Sequence, residues 1–276
     1  MRLCGVGCGF IRRGRGGNAA GTGAYLVKGI AGCGNYHTAR GGPMKRIELA
    51  GGNSFGGPKA PFKSYAPNIT QDLGTGIGAW TNAQLVTAIR EGKRPDGSAI
   101  GPPMAIEFYK YMSDRDAKAI VAYLRSVQPV KHKVPKSVYR IPLRAGKPVD
   151  RVAGIPPSDK IAYGEYQVQI GHCMECHTPM VKGHPDLKNR MGAGGRKCEG
   201  PWGEVISANI TQDKATGIGS WINAQIKRAI TKGVRHAGAK MRPPMFYRCY
   251  DNMTETDVDA VVSYLRTIKP IKNNLR

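Results

Sequence analysis

The residues best placed to do chemistry are Cys173-Met174-Glu175-Cys176-His177. The spacing C-x-x-C-H puts two thiols on one helical turn, where each can add to a vinyl group of haem, and sets a histidine beside the second thiol to serve as an axial iron ligand. The same pattern also fits half of a zinc site or a redox dithiol. The zinc reading needs a second Cys/His pair at finger-like spacing, and the sequence has none. Thr178-Pro179 follows, and a carbonyl near that proline is the expected acceptor for the other ring N–H of His177, fixing its tautomer.

A haem iron has a second axial position. Met245, on a loop stiffened by Pro243 and Pro244, is the candidate, since a thioether ligand raises the potential and suits electron transfer. An internal repeat strengthens this choice. Asn68-Ile69-Thr70-Gln71-Asp72 recurs as Asn209-Ile210-Thr211-Gln212-Asp213, an offset of 141 residues. Gly76-Ile77-Gly78-Ala79-Trp80 recurs as Gly217-Ile218-Gly219-Ser220-Trp221, and Pro102-Pro103-Met104 and Tyr123-Leu124-Arg125 recur unchanged, all at the same offset. The attachment motif recurs incompletely as Cys33-Gly34-Asn35-Tyr36-His37, with Tyr36 where the second cysteine should stand. His37 and Met104 are therefore the axial candidates of the first copy, and Cys33 its single attachment thiol.

Other residues carry weaker expectations. Trp80 and Trp221 are read equally as haem-edge residues, with the indole N–H toward a propionate, or as ordinary core tryptophans. Met112, Met191, Met241 and Met253 read as core filler. Tyr25, Tyr166, Tyr123 and Tyr264 read as helix-packing residues. For Cys4, Cys8, Cys198 and Cys249 a disulfide is open in an oxidising compartment, but with no pairing visible in the sequence they are read as small buried or free thiols. His132, His172, His184 and His236 are expected to be structural or solvated.

The elements that must position these groups are helical in both copies. A first helix is expected around 21–33 and 159–173, and a second around 81–92 and 222–232 with Thr81 as a cap. A third is expected around 113–127 and 254–268, opened by Ser113/Asp116 and Thr254/Asp257. Ile120, Val121 and Leu124, and Val258, Val261, Val262 and Leu265, fall at helical spacing. The domain plan is an N-terminal segment 1–18 without structure, domain 1 at 19–128, a Pro-rich extended linker at 129–157 and domain 2 at 158–276.

The net charge is +23, from 42 Lys+Arg against 19 Asp+Glu, and it is spread over both halves. That field favours an acidic protein partner or an anionic membrane surface. No nucleic-acid-binding motif accompanies it. No apolar run reaches the ~18 residues of a membrane span. Leu3 to Ile11 is apolar but broken by glycines and followed by Arg12, Arg13 and Arg15, a poor secretory signal.

The run at 173–179, both Asn-Ile-Thr blocks, both Gly-Ile-Gly-x-Trp blocks, both Pro-Pro-Met loops and both Tyr-Leu-Arg segments resemble the tandem di-haem class I cytochromes c of the bacterial periplasm. The resemblance covers about 22 to 270. It implies an all-α fold of two tandem cytochrome c domains and a role as an electron carrier rather than an enzyme. It also implies two haems c, with Cys33, Tyr36, Trp80, Cys173, Cys176 and Trp221 around them and His37, Met104, His177 and Met245 on iron. Tyr36, and Ala39 in place of the proline after the motif, leave two outcomes for haem 1: one thioether through Cys33, or no haem. The expected partners are acidic redox proteins: a dehydrogenase, a quinol oxidoreductase or a terminal oxidase. The alternatives are a cytochrome subunit of a membrane-bound dehydrogenase and, more remotely, a di-haem peroxidase.

Overall fold

The computed structural model describes residue 14 and residues 16–57, 60–200 and 202–275. The apolar N-terminal stretch and the thiols of Cys4 and Cys8 lie outside the described residues. The chain forms two compact units, one ending at Gly154 and the other beginning at Ile155.

The first unit runs α1 (Ala19–Lys28), α2 (Cys33–His37), β1 (Ser54–Phe55), β2 (Phe62–Tyr65), α3 (Asn82–Glu91), α4 (Ile106–Tyr109), α5 (Asp114–Ser126) and β3 (Val138–Tyr139). The second runs α6 (Lys160–Ile170), α7 (Cys173–Cys176), β4 (Met180–Val181), β5 (His184–Pro185), β6 (Lys197–Gly200), β7 (Gly203–Ile206), α8 (Asn223–Lys232), α9 (Tyr247–Tyr250) and α10 (Glu255–Leu265).

The expectation of an all-α fold is corrected. Three small antiparallel sheets, β1-β2-β3, β4-β5 and β6-β7, stand beside the helices of the described residues. Helix accounts for 32% and strand for 10%, too mixed for an all-α description. The Gly-rich stretch after each attachment motif pairs with itself. In the first unit β2, Phe62-Lys63-Ser64-Tyr65, buries Ser64 between more open neighbours, a period-2 pattern that suits an extended strand. Gly203, at φ 85°, lets the β6-β7 hairpin turn in a conformation unfavourable to side-chain-bearing residues.

Each unit is built on the crossing of its first and last long helices, α1 with α5 and α6 with α10. The crossing is close because of one glycine in each. A Cβ at Gly23 would run into the carbonyl oxygen of Ala119, and one at Gly164 into that of Ala260. The anticipated apolar faces are the buried ones: Ile120, Val121 and Leu124 on α5, and Val258, Val261, Val262 and Leu265 on α10. Burying such side chains contributes about 1.5–3 kcal/mol each. Tyr25 and Tyr166 are buried in the same crossings.

The helix starts follow their sequence signals. Ser113 Oγ accepts from the Asp116 N–H at 3.1 Å, and Thr254 Oγ1 from the Asp257 N–H at 3.1 Å. Thr81 and Gln84 complete a reciprocal box. In the second unit Gln225 still accepts from the Ile222 N–H at 3.0 Å, but Ile222 has no oxygen with which to reciprocate.

The Pro-rich segment after α5 is a strap on the first unit. Its Val130 carbonyl accepts from Asn68 Nδ2 at 2.7 Å, His132 Nδ1 meets the Ala50 carbonyl at 2.7 Å, and β3 pairs with β2. The C-terminal residues repeat this on the second unit, where Asn209 Nδ2 donates to the Ile271 carbonyl and Asn273 Nδ2 to the Ala193 carbonyl, both at 2.8 Å.

Candidate functional site

The two attachment motifs form the single turns α2 and α7. Each begins at a left-handed residue, Gly32 (φ 58°) or His172 (φ 42°). The turn is tied down by a tyrosine from the later short helix: Tyr109 Oη donates to the Ala31 carbonyl at 2.9 Å, and Tyr250 Oη to the Gly171 carbonyl at 3.3 Å. Behind the motif, the buried Thr38 and Thr178 hydroxyls accept from the Leu49 and Gly192 N–H groups.

The acceptor for the second ring nitrogen is not near Pro179. His177 Nδ1 meets the Ala208 carbonyl at 2.8 Å, and His37 Nδ1 meets that of Pro67 at 2.9 Å. Since a carbonyl only accepts, Nδ1 carries the hydrogen and Nε2 is left with its lone pair. Enclosure in the fold holds both imidazoles below the ordinary histidine range, and the carbonyl hydrogen bond only partly opposes it. The Asn-Ile-Thr block explains the aim of these carbonyls. Asn209 Oδ1 accepts from the Thr211 N–H and hydroxyl at 2.9 and 2.7 Å, and Asn68 does the same with Thr70 at 3.0 and 2.8 Å. The carbonyl just before each asparagine is thereby fixed against the histidine.

In the first unit, Cys33, Tyr36, His37, Trp80 and Met104 line one cavity of about 310 Å³. All five residues singled out in that copy thus come together. Ser64 lines it too, and its buried hydroxyl has no hydrogen-bond partner. In the second unit, Cys173, Cys176 and His177 are consecutive on one turn. Trp221 packs against His236 with ring centroids 4.7 Å apart and planes tilted by 42°. Met245 is half-buried behind the cis bond Pro243–Pro244, as Met104 is behind cis Pro102–Pro103. Burial pushes the Cys33 and Cys173 thiols up to about 12.

Several functional neighbours were not singled out from sequence. Arg125 donates through Nε to Asn82 Oδ1 at 2.8 Å, through Nη1 to Gln71 Oε1 at 2.9 Å and through Nη2 to the Trp80 carbonyl. Arg266 repeats the set with Asn223, Gln212 and the Trp221 carbonyl. The signal was available, because the arginine sits inside the repeated Tyr-Leu-Arg block. Its role was not, because its partners lie about 43–54 residues away in sequence. Cys249 is disulfide-bonded, which corrects its reading as a free thiol; Cys198 is free. His172 is buried, paired through Nδ1 with Glu175 at 3.3 Å.

The donor set fits haem. The imidazole Nε2 atoms are free of hydrogen, a thioether lines the same cavity as His37, and thiols stand on the same turn as each histidine. Among the described residues no group of three or more His, Cys, Asp and Glu stands close enough to hold a metal ion by itself.

Fold and site together resemble those of the class I cytochromes c, proteins that carry electrons on haem c, and the comparisons support that family. Residues 161–269 match the family described as Cytochrome c. The chain is 31% identical over 237 residues to the fructose dehydrogenase cytochrome subunit of Gluconobacter japonicus, covering 80% of this chain and 47% of that protein. It is 28% identical over 271 residues to the alcohol dehydrogenase (quinone) cytochrome c subunit of Gluconacetobacter polyoxogenes, covering 90% and 56%. A diheme cytochrome c-type of Cereibacter sphaeroides is 28% identical over 255 residues, covering 87% and 83%. The chain thus spans about half the length of the two dehydrogenase subunits it matches.

Proposed function

We propose that the chain is a two-haem electron-transfer subunit that takes electrons from a dehydrogenase partner. The reading rests on one observation above all: Cys33, His37 and Met104 of the incomplete copy line a single cavity. A copy that had lost its haem would have little reason to keep a thiol, an imidazole and a thioether facing one another. In the second copy the intact C-x-x-C-H turn supplies two thioethers through Cys173 and Cys176.

Haem c supplies the one-electron redox couple; the chain binds, orients and shields it. His37 and His177, each oriented by the carbonyl at its Nδ1, would bind iron through Nε2, and Met104 and Met245 would supply the thioether ligands. With both kinds of ligand in place the iron would serve electron transfer rather than substrate or peroxide chemistry. Tyr36 would stand against the haem where the first copy lacks a second thiol. Arg125 and Arg266 hold the tryptophan loops at the site. Several relatives are named as cytochrome subunits of sugar or alcohol dehydrogenases, which favours service to such a partner over free diffusion between partners. Covalent attachment of haem, carried out outside the cytoplasm, favours a periplasmic location.

Intact mass together with a haem-iron assay tests the haem count. Two covalent haems are expected; one haem, with the adduct absent from the Cys33 peptide, rejects the first site. Co-purification tests the partner. A flavin- or quinone-containing dehydrogenase is expected on affinity-tagged chain, and a chain that reduces only small soluble acceptors rejects the subunit role.

A further inference from the structure

Cys198 belongs to neither attachment motif, yet it lies against one. The β6-β7 hairpin folds over α7 and brings Cys198 into a hydrogen bond with Cys176, whose S–H donates to the Cys198 sulfur. The hairpin is pinned there from both sides. Arg196 Nη1 donates to the Glu175 carbonyl at 2.8 Å and to its carboxylate at 3.3 Å, while the Arg196 N–H donates to Ser207 Oγ at 3.0 Å. The arrangement sets two thiols of distant sequence side by side.

The other unit provides an internal comparison. There the hairpin register pairs Phe55 with Ser64, as Cys198 pairs with Val205 in the second unit, so Phe55 occupies the place of Cys198. Tyr36 occupies that of Cys176, and the Tyr36 and Phe55 rings lie 5.6 Å apart. The copy that lacks the second attachment thiol also lacks its neighbour. Both positions of the pair are thiols in one unit and aromatic rings in the other.

From this pairing we infer that Cys176 and Cys198 close a disulfide in the haem-free chain, which makes Cys198 a redox gate on the second thioether of haem 2. Closing it removes two protons and two electrons from the two thiols, and an oxidising protein disulfide takes up the electrons to become a dithiol. The bond so formed is about 2.05 Å long. A sulfur in a disulfide cannot also add to a vinyl group. Haem 2 then attaches fully only after a protein dithiol returns two electrons and frees Cys176.

The inference rests on Cys176 as an attachment thiol, and the test separates the two. Full-length haem-free chain is exposed to oxidised glutathione, digested without reduction and mapped by mass spectrometry. A Cys176–Cys198 linked peptide is expected, lost in Cys198→Ser. A Cys173–Cys176 linkage, or unmodified Cys176 and Cys198, overturns it. In parallel, chain matured under oxidising conditions is compared by intact mass and peptide mapping. Wild type should accumulate haem 2 held by Cys173 alone, and Cys198→Ser should carry severalfold more of the doubly attached form. Equal attachment in both overturns the gate. Absence of haem from Cys173 and Cys176 in every sample would instead reject the attachment reading and leave the disulfide result standing. Circular dichroism of both chains checks that the serine variant is folded.

Discussion

Tyr36 packs its ring 5.6 Å from that of Phe55 at an interplanar angle of 43°, filling the side of the first cavity where a second attachment thiol would stand. A haem held in this cavity would share that side with two aromatic rings. Tyr36→Cys should give a second thioether, so that the ferrous α-bands of the two centres in a pyridine assay coincide rather than separate. Thermal stability of the haem-loaded protein should rise, because overfilling a tight site typically costs about 1–3 kcal/mol and the new bond anchors the group. Intact mass checks that the haem count is unchanged; an unchanged pair of α-bands would count against the single-thioether assignment.

Met245→His should keep haem 2 but lower its midpoint potential. An imidazole is a stronger σ-donor than a thioether and stabilises ferric iron. The thioethers through Cys173 and Cys176 are untouched, so loss of haem is not expected. A redox titration with no change at haem 2 would remove Met245 from the ligand set.

Gly164→Ala sets two effects against each other. Alanine gains about 1 kcal/mol in helix propensity over glycine. Its Cβ, however, would meet the Ala260 carbonyl oxygen, a backbone atom that moves only if α10 moves. Overpacking of this kind costs about 1–3 kcal/mol, so the second unit should be destabilised on balance. Denaturant unfolding followed at haem 2 checks the sign, and a more stable variant would show that the helices can separate without loss.

Asp213 offers a pH dependence with a definite sign. The Thr216 hydroxyl, then its N–H, hydrogen-bond the carboxylate at 2.7 and 2.6 Å and hold it below the ordinary value of 3.8. A depressed carboxyl contributes stability that is complete above the unfolded value and is lost as pH falls through the folded one. Asp213→Asn should therefore melt lower above about pH 4 and approach wild type below it. Melting temperatures that differ by the same amount across the acid range would contradict this.

Docking of an acidic partner should centre on the second methionine loop. Arg235, Lys240, Arg242 and Arg248 are all exposed there, and Ile222 is 63% exposed at the start of α8. Exposed charges raise encounter rates and are screened by salt. Reversing Lys240 and Arg242 to Glu should slow the second-order electron-transfer rate at low ionic strength, with the difference closing as salt rises. Rates that match wild type at every salt concentration would place the docking face elsewhere.

The candidate residues were legible because their chemistry is local or repeated. C-x-x-C-H needs only one helical turn to be recognised, and Met104 and Met245 stood out by recurring in register. The long helices were legible for a related reason: their capping residues and apolar spacing act within a few residues of one another. The β-hairpins were not. Their pairing depends on which glycine-rich segments fold back, and period-2 alternation over four residues is a weak local signal.

The sequence by itself determined the number of copies, the candidate attachment thiols, histidines and methionines, and the long helices, all set by contacts within a turn or by recurrence. Tertiary structure alone decided what each histidine leans on. The carbonyls of Pro67 and Ala208 lie 30 and 31 residues from the rings they orient. It alone placed Arg125 and Arg266 on the tryptophan loops and brought Cys198 to Cys176. These groups meet because the glycine crossings at Gly23 and Gly164 and the hairpins close the chain on itself, and no short-range propensity encodes a meeting of that kind.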